Sequence, residues 1–185
     1  SSEIIEKIAE RLKSWKARNI VVDPVMVATS GARLIDEDAQ GALTSQLFPL
    51  ATLITPNIPE AELLSGMSIE DGASQEQAAR LLMQRYGCAA LVKGGHRINE
   101  ASDALACETS DGAKTTWFTH PRVNNPNTHG TGCTLSSAIA CGLAQNLPLA
   151  DAVEAAKRYL TGALEAQLDL GQGSGPLDHM WRYRR

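Results

Sequence analysis

Aromatic side chains are scarce in this sequence: two Phe, three Tyr and three Trp make up 4% of 185 residues. With 43% hydrophobic residues, the core must be built from Ala, Leu, Ile and Val, and a chain of this length fills one α/β-sized domain. Basic residues are in the minority, 17 Lys and Arg against 21 Asp and Glu for a net charge of −4. That leaves no electrostatic footprint for nucleic acid or an anionic membrane. Only Arg182-Tyr183-Arg184-Arg185 is locally basic, and it reads as a solvated tail. No apolar run approaches the ~20 residues of a membrane span. Cys88, Cys107, Cys133 and Cys141 include no C-x-x-C pair, a spacing that fits neither a zinc site nor a disulfide framework. The histidines are equally dispersed, so no structural metal is expected, and the expected compartment is the cytoplasm. Also missing are Gly-x-x-x-x-Gly-Lys-Ser/Thr and Gly-x-Gly-x-x-Gly, which sets aside P-loop nucleotidases and dinucleotide-binding dehydrogenases.

What is present alternates between two periodicities. Ile4, Ile5, Ile8, Leu12 and Trp15 recur every three or four residues, which predicts an amphipathic helix over 1–18 with Ser1 or Ser2 as its cap. The β-branched run 19–25 reads as a buried strand, 51–55 as a second and 89–92 as a third. Between them lie a glycine-containing loop around Thr29-Ser30-Gly31 and helices from Asp36 to about 47, over 59–65 stopped by Gly66, and over 75–86 ended by Gly87. Segments 103–108 and 115–119 flank Asp111-Gly112, a hairpin signal. A polar loop over 121–127 leads to two closing helices, 134–146 and 149 to about 170. Strands alternating with helices predict an α/β fold, a mainly parallel sheet covered on both faces, in a single domain over 1–185. Ligands of such sheets bind at the carboxyl ends of the strands, where Asp23, Asn57, Lys93 and the Cys133 loop all fall.

The most specific stretch is Asn127-Thr128-His129-Gly130-Thr131-Gly132-Cys133-Thr134, ahead of the apolar run 135–143. The first N–H groups of a helix lack intrahelical partners and carry the positive end of the dipole, so a glycine-flanked helix start is an anion cradle. The same environment favours a thiolate, which makes Cys133 a candidate base. The plainer reading is a tight turn with Thr131 as N-cap and Cys133 as a small core residue. Asn57-Ile58-Pro59-Glu60 likewise has the spacing of a capping box, and its carboxylate is also of the kind that Mg²⁺ takes, often through water. Asp23, just before Pro24, is placed either to bond the following turn or to stand behind phosphates. Lys93 is either a solvated strand end or a phosphate ligand.

The string 127–134 resembles the anion hole of the ribokinase-like superfamily, with cysteine in place of the commoner aspartate. In this it is similar to the hydroxymethylpyrimidine and phosphomethylpyrimidine kinases of thiamine biosynthesis, whose relatives include some pyridoxal kinases. Val22-Asp23-Pro24-Val25-Met26, Ile54-Thr55-Pro56-Asn57-Ile58-Pro59-Glu60 and Val92-Lys93-Gly94-Gly95-His96 match as well.

The resemblance implies a three-layer α/β/α fold and an ATP- and Mg²⁺-dependent kinase. Its acceptors would be 4-amino-5-hydroxymethyl-2-methylpyrimidine and that alcohol's monophosphate. The catalytic group would be Gly130, Thr131, Gly132 and Cys133. Asp23, Asn57, Lys93 and Thr128 would hold the nucleotide, Glu60 would reach Mg²⁺ through water, and the assembly would be a homodimer. His96 and His129 would be structural or line the substrate. Alternatives are pyridoxal or pyridoxine phosphorylation, a cysteine hydrolase with Cys133 as nucleophile and His129 as base, and a noncatalytic ligand-binding relative.

Relatives begin with a strand and a glycine-rich loop, so the resemblance also implies that strands from the first third of the domain are absent here. Made alone, residues 1–185 are expected to show little pyrimidine kinase activity, and adding an N-terminal segment should restore it. Full activity from a preparation shown by intact mass to contain only these residues would contradict that expectation.

Overall fold

The structure, a computed structural model, describes residues 1–27, 34–94, 100–125, 128–168 and 175–183. The Thr29-Ser30-Gly31 loop, Gly95, His96 and Asn127, all singled out in the sequence, lie outside the described residues. The chain divides into two compact units, Ser1–His120 and Pro121–Arg185.

The first unit carries a five-stranded sheet in the order β1-β2-β3-β4-β5. Strands β1 (Val21–Val22), β2 (Leu53–Ile54) and β3 (Ala89–Val92) are parallel, in the register Val21 to Leu53 to Ala89. The sheet is mixed, because β4 (Glu100–Thr109) runs antiparallel to β3 and turns at Asp111-Gly112 into β5 (Gly112–Pro121). The hairpin is longer than the alternation suggests, while β1 and β2 are only two residues each. All four residues of β3 are buried, as a central strand requires.

Helix α1 (Ser2–Ser14) turns Ile5, Ala9 and Leu12 inward. Ser1 is its N-cap residue but makes no capping side-chain bond. Asp36 does cap α2 (Glu37–Ala42), accepting the Ala39 N–H at 2.7 Å. The expected continuation to residue 47 is a π-helical turn, Leu43–Leu47, followed by a 3₁₀ turn, Phe48–Leu50, where Pro49 and the close of the element tighten the chain. Helix α3 (Ile58–Ser65) ends at Gly66 and α4 (Gly72–Tyr86) at Gly87, both glycines left-handed. Helix α4 starts earlier than its apolar periodicity shows, because Asp71 and Ser74 form a reciprocal capping box.

Small side chains bring this helix close to the sheet. Ala78 and Ala79 of α4 and Ala90, Ala104 and Ala106 of the strands all join one buried cluster, in which Phe48 meets Tyr86 edge-on at 4.9 Å. Fully buried Gln75 ties β3 to β4, its Nε2 donating to the Val92 and Ser102 carbonyls at 3.0 Å each. Gly94 closes the same corner, its N–H donating to Asp103 at 2.9 Å.

The second unit consists of α5 (Thr131–Ala144), α6 (Leu149–Glu165) and a 3₁₀ turn, Trp181–Tyr183. Leu135, Ile139 and Leu143 of α5 and Ala152, Val153 and Ala156 of α6 form its buried faces. Buried Asn125 fastens the incoming segment by donating to the Leu164 carbonyl at 2.7 Å. Arg182 is not simply part of a solvated tail, since its guanidinium lies over the rings of Tyr159 and Trp181 at 5.4 and 5.1 Å. No described helix is long and apolar enough to cross a membrane.

A Cβ at residue 94 would fall well inside contact distance of the Ser102 carbonyl oxygen, whereas one at Gly41 would meet nothing. Gly94→Ala should therefore lower stability by about 1–3 kcal/mol or more through overpacking against backbone. Gly41→Ala, within α2, should be neutral or gain up to about 1 kcal/mol. Urea midpoints of the two variants check the contrast, and equal midpoints would contradict it.

Candidate functional site

Three of the polar positions singled out in the sequence meet at the carboxyl ends of the parallel strands in the first unit. The β2–β3 register continues to an isolated bridge between Asn57 and Lys93, three residues beyond the last strand pair, with the Lys93 N–H donating to the Pro56 carbonyl at 2.8 Å. This sets Lys93 and Asn57 side by side. The Lys93 ammonium donates to Asp23 Oδ1 at 2.8 Å, across 70 residues of sequence. Both side chains are mostly shielded, 16% and 13% exposed, so the pair is not a surface salt bridge of little consequence. Thr55, fully buried, donates its hydroxyl to the same Oδ1 at 3.2 Å. An ammonium has three donors and Asp23 occupies one, which leaves Lys93 able to bind an anion without giving up its partner.

Glu60 sits beneath this cluster at 2% exposure. Its Oε2 accepts the Asn57 N–H at 2.9 Å while Asn57 Oδ1 accepts the Glu60 N–H at 2.9 Å, the capping box expected from the spacing. The other oxygen reaches further: Oε1 accepts the Met26 N–H at 2.9 Å, joining α3 to the turn that follows β1. The cap uses only the oxygen of the Asn57 amide, so its NH₂ donors stay available beside Lys93.

In the second unit α5 begins where the anion cradle was expected. Its N-cap is Gly130, left-handed at φ +83°, and not Thr131, which is the first helical residue. Gly130 itself brings no side-chain acceptor to the first amides. The Thr131 N–H donates to the Thr128 carbonyl at 3.3 Å, and the amides of Gly132 and Cys133 follow in the first turn. Thr128, His129 and Cys133 are exposed, so Cys133 is not a core residue. Cys88 is one: burial pushes its thiol up to about 11. Cys133, Thr134, Ser137, Cys141, Tyr159 and His179 line a cavity of about 580 Å³ within this unit. No hydrogen bond joins His129 to Cys133 among the described residues, so the hydrolase alternative lacks its nucleophile–base contact.

Thr55 and the Met26 N–H escaped the sequence reading. Thr55 offers one signal, a polar β-branched residue at the end of an apolar strand; the backbone donor offers none.

The donor chemistry of the first unit suits a nucleotide phosphate, with an ammonium and an amide NH₂ at adjoining strand ends. Magnesium fits with a restriction. Both Glu60 oxygens already take a backbone N–H, and among the described residues no three carboxylate, His or Cys side chains form a metal cluster. Each oxygen keeps a second lone pair, and contact through water fits, since Mg²⁺ keeps several waters and leans on substrate phosphates.

The fold falls in a known class. It superimposes on a solved pyridoxal kinase of Bacillus subtilis in an ADP complex with a TM-score of 0.85 and 34% identity, over 100% of this chain and 69% of that one. That is the ribokinase-like α/β fold. Residues 1–178 match the phosphomethylpyrimidine kinase family, and the chain belongs to that family. It is 43% identical to the hydroxymethylpyrimidine/phosphomethylpyrimidine kinase of Haemophilus influenzae, over 100% of this chain and 69% of that protein. It is 49% identical to a bifunctional thiamine biosynthesis protein of Geobacter sulfurreducens, over 97% of this chain and 36% of that protein. The chain thus spans about two thirds of the single-function kinase and just over a third of the bifunctional one.

The capping-box spacing alone suggests that Glu60→Gln keeps the cap bond and leaves stability unchanged. The structure overturns that, because two N–H groups converge on the two oxygens and an amide presents only one acceptor. Glu60→Gln should cost about 1–3 kcal/mol by leaving a buried N–H facing an NH₂. A urea midpoint equal to the parent's would show that the two bonds are not both made.

Proposed function

We propose that residues 1–185 work as one ATP-dependent kinase domain that phosphorylates 4-amino-5-hydroxymethyl-2-methylpyrimidine and its monophosphate in thiamine biosynthesis. The observation that carries this reading is the shielded Lys93–Asp23 pair beside Asn57, at the carboxyl ends of parallel strands, in a chain of this family. The substrate hydroxyl oxygen, or in the second transfer a phosphate oxygen of the monophosphate, attacks the γ-phosphorus, the bond from that phosphorus to the β–γ bridging oxygen breaks, and ADP leaves. Such a transfer needs positioning and charge stabilisation more than covalent help from the protein. Lys93 and Asn57 hold nucleotide phosphates, with Asp23 fixing the ammonium and Thr128 contributing at the start of the cradle. The amides of Gly130, Thr131 and Gly132 meet the charge on the transferring group, and Cys133 Sγ takes the hydroxyl proton. Glu60 would hold Mg²⁺ through water, and the ion would supply neutralisation of the phosphate oxygens. Cytoplasmic location and a homodimer go with this reading.

A second acceptor has a specific observation in its favour: the superposition on a pyridoxal kinase at a TM-score of 0.85. Phosphate transfer from ATP to the pyrimidine alcohol and to pyridoxal, in a protein of the relatives' full length that carries these residues, discriminates the two. A higher kcat/KM for the pyrimidine alcohol is expected, and preference for pyridoxal would replace the acceptor while keeping the chemistry.

Cys133→Ala in the same protein should lower kcat by ~10²–10⁴ with little change in ATP affinity, because loss of a general base acts on the transition state. Turnover at the parental rate would remove Cys133 from the mechanism.

A further inference from the structure

The turn after β1 contains a conformation that its own side chain does not repay. Val25 has φ +46°, in the left-handed region, which is costly for a β-branched residue. Its side chain remains 50% exposed, so packing of Val25 does not offset the cost. The residues on either side are pinned instead. Asp23 is held by the Thr55 hydroxyl and the Lys93 ammonium. Met26 is held three ways: its side chain is fully buried, its carbonyl accepts the Leu34 N–H at 2.9 Å, and its N–H donates to Glu60 at 2.9 Å. Pro24 adds rigidity by disfavouring the helical region for Asp23. With both neighbours fixed, Val25 has to supply the reversal between them.

We propose that Glu60 is a positioning residue: its buried carboxylate holds the Asp23-Pro24-Val25-Met26 turn in this strained form and thereby fixes Asp23, and through it the Lys93 ammonium. This role is separate from capping α3 and from any contact with magnesium. It rests on the kinase reading only for what Lys93 then binds. Of the bonds that pin Met26, the one to Glu60 comes from the helix that also carries Asn57, so a single carboxylate sets the Asp23 turn and the Asn57 cap relative to each other.

The test is a double-mutant cycle between E60Q and V25G. Glycine adopts φ > 0 without the Cβ penalty, so in V25G the turn keeps its form with or without Glu60. Two readouts are taken: the urea midpoint, and KM for ATP against kcat for phosphate transfer in a protein of the relatives' full length. In the Val25 parent, E60Q should lower kcat/KM for ATP by about 5- to 100-fold, chiefly through KM, the range that strain of this kind spans. In the V25G background the same change should cost kcat/KM several-fold less, while the drop in urea midpoint should be larger than in the parent, because no strain is relieved to offset the lost bond. Additive effects in both readouts would overturn the proposal, as would a loss that added Mg²⁺ repairs equally in both backgrounds. If E60Q does not fold, E60D, too short to span both N–H groups, replaces it under the same criteria. If the parent transfers no phosphate, the kinase reading fails, while the urea cycle still decides the brace.

Discussion

A buried carboxylate that accepts two backbone N–H groups from distant parts of the chain is the constraint on which the site depends. Two-residue strands such as β1 and β2 contribute few ladder bonds, so side chains must fix where their exits point. Glu60 does this through Met26 and Asn57. Asp23 does it through Thr55 and Lys93. The bond to Met26 is buried and the others are partly so, which makes leaving a partner unsatisfied costly. The result places an ammonium and an amide at adjoining strand ends, the place where open α/β sheets take their ligands.

The second unit offers backbone donors. Gly130, not Thr131, is the N-cap of α5 and takes the left-handed conformation, so the cap residue itself brings no side-chain oxygen to the first amides. Helix starts of this kind are suited to anions. The side chain next to those amides is the exposed thiol of Cys133.

Much of this was legible in the sequence where the signal was local. The Asn57–Glu60 spacing gives the capping box, Gly66 and Gly87 mark the ends of α3 and α4, and Asp111-Gly112 marks the hairpin. Local rules failed where tertiary bonds decide. A capping box at Asp71 and Ser74 starts α4 ahead of its first apolar residue, and the stretch after α2 tightens into π and 3₁₀ turns that its composition does not distinguish from α-helix. Strands β1 and β2 are shorter than their β-branched runs because pairing, not propensity, sets their length. The bond from Glu60 to Met26 joins a side chain to a backbone group 34 residues away, and no residue type at position 26 could announce it.

The central claim is that Asp23 and Glu60 hold the Lys93–Asn57 corner of the first unit in a form that takes a nucleotide phosphate. The most direct measurement is an NMR titration with ATP that follows the backbone amides of Met26, Asn57 and Lys93. The account predicts that all three shift along one saturation curve with a single Kd, and that Lys93→Ala weakens that curve. Amides that stay in place at saturating ATP, or a Kd unchanged by Lys93→Ala, would contradict it.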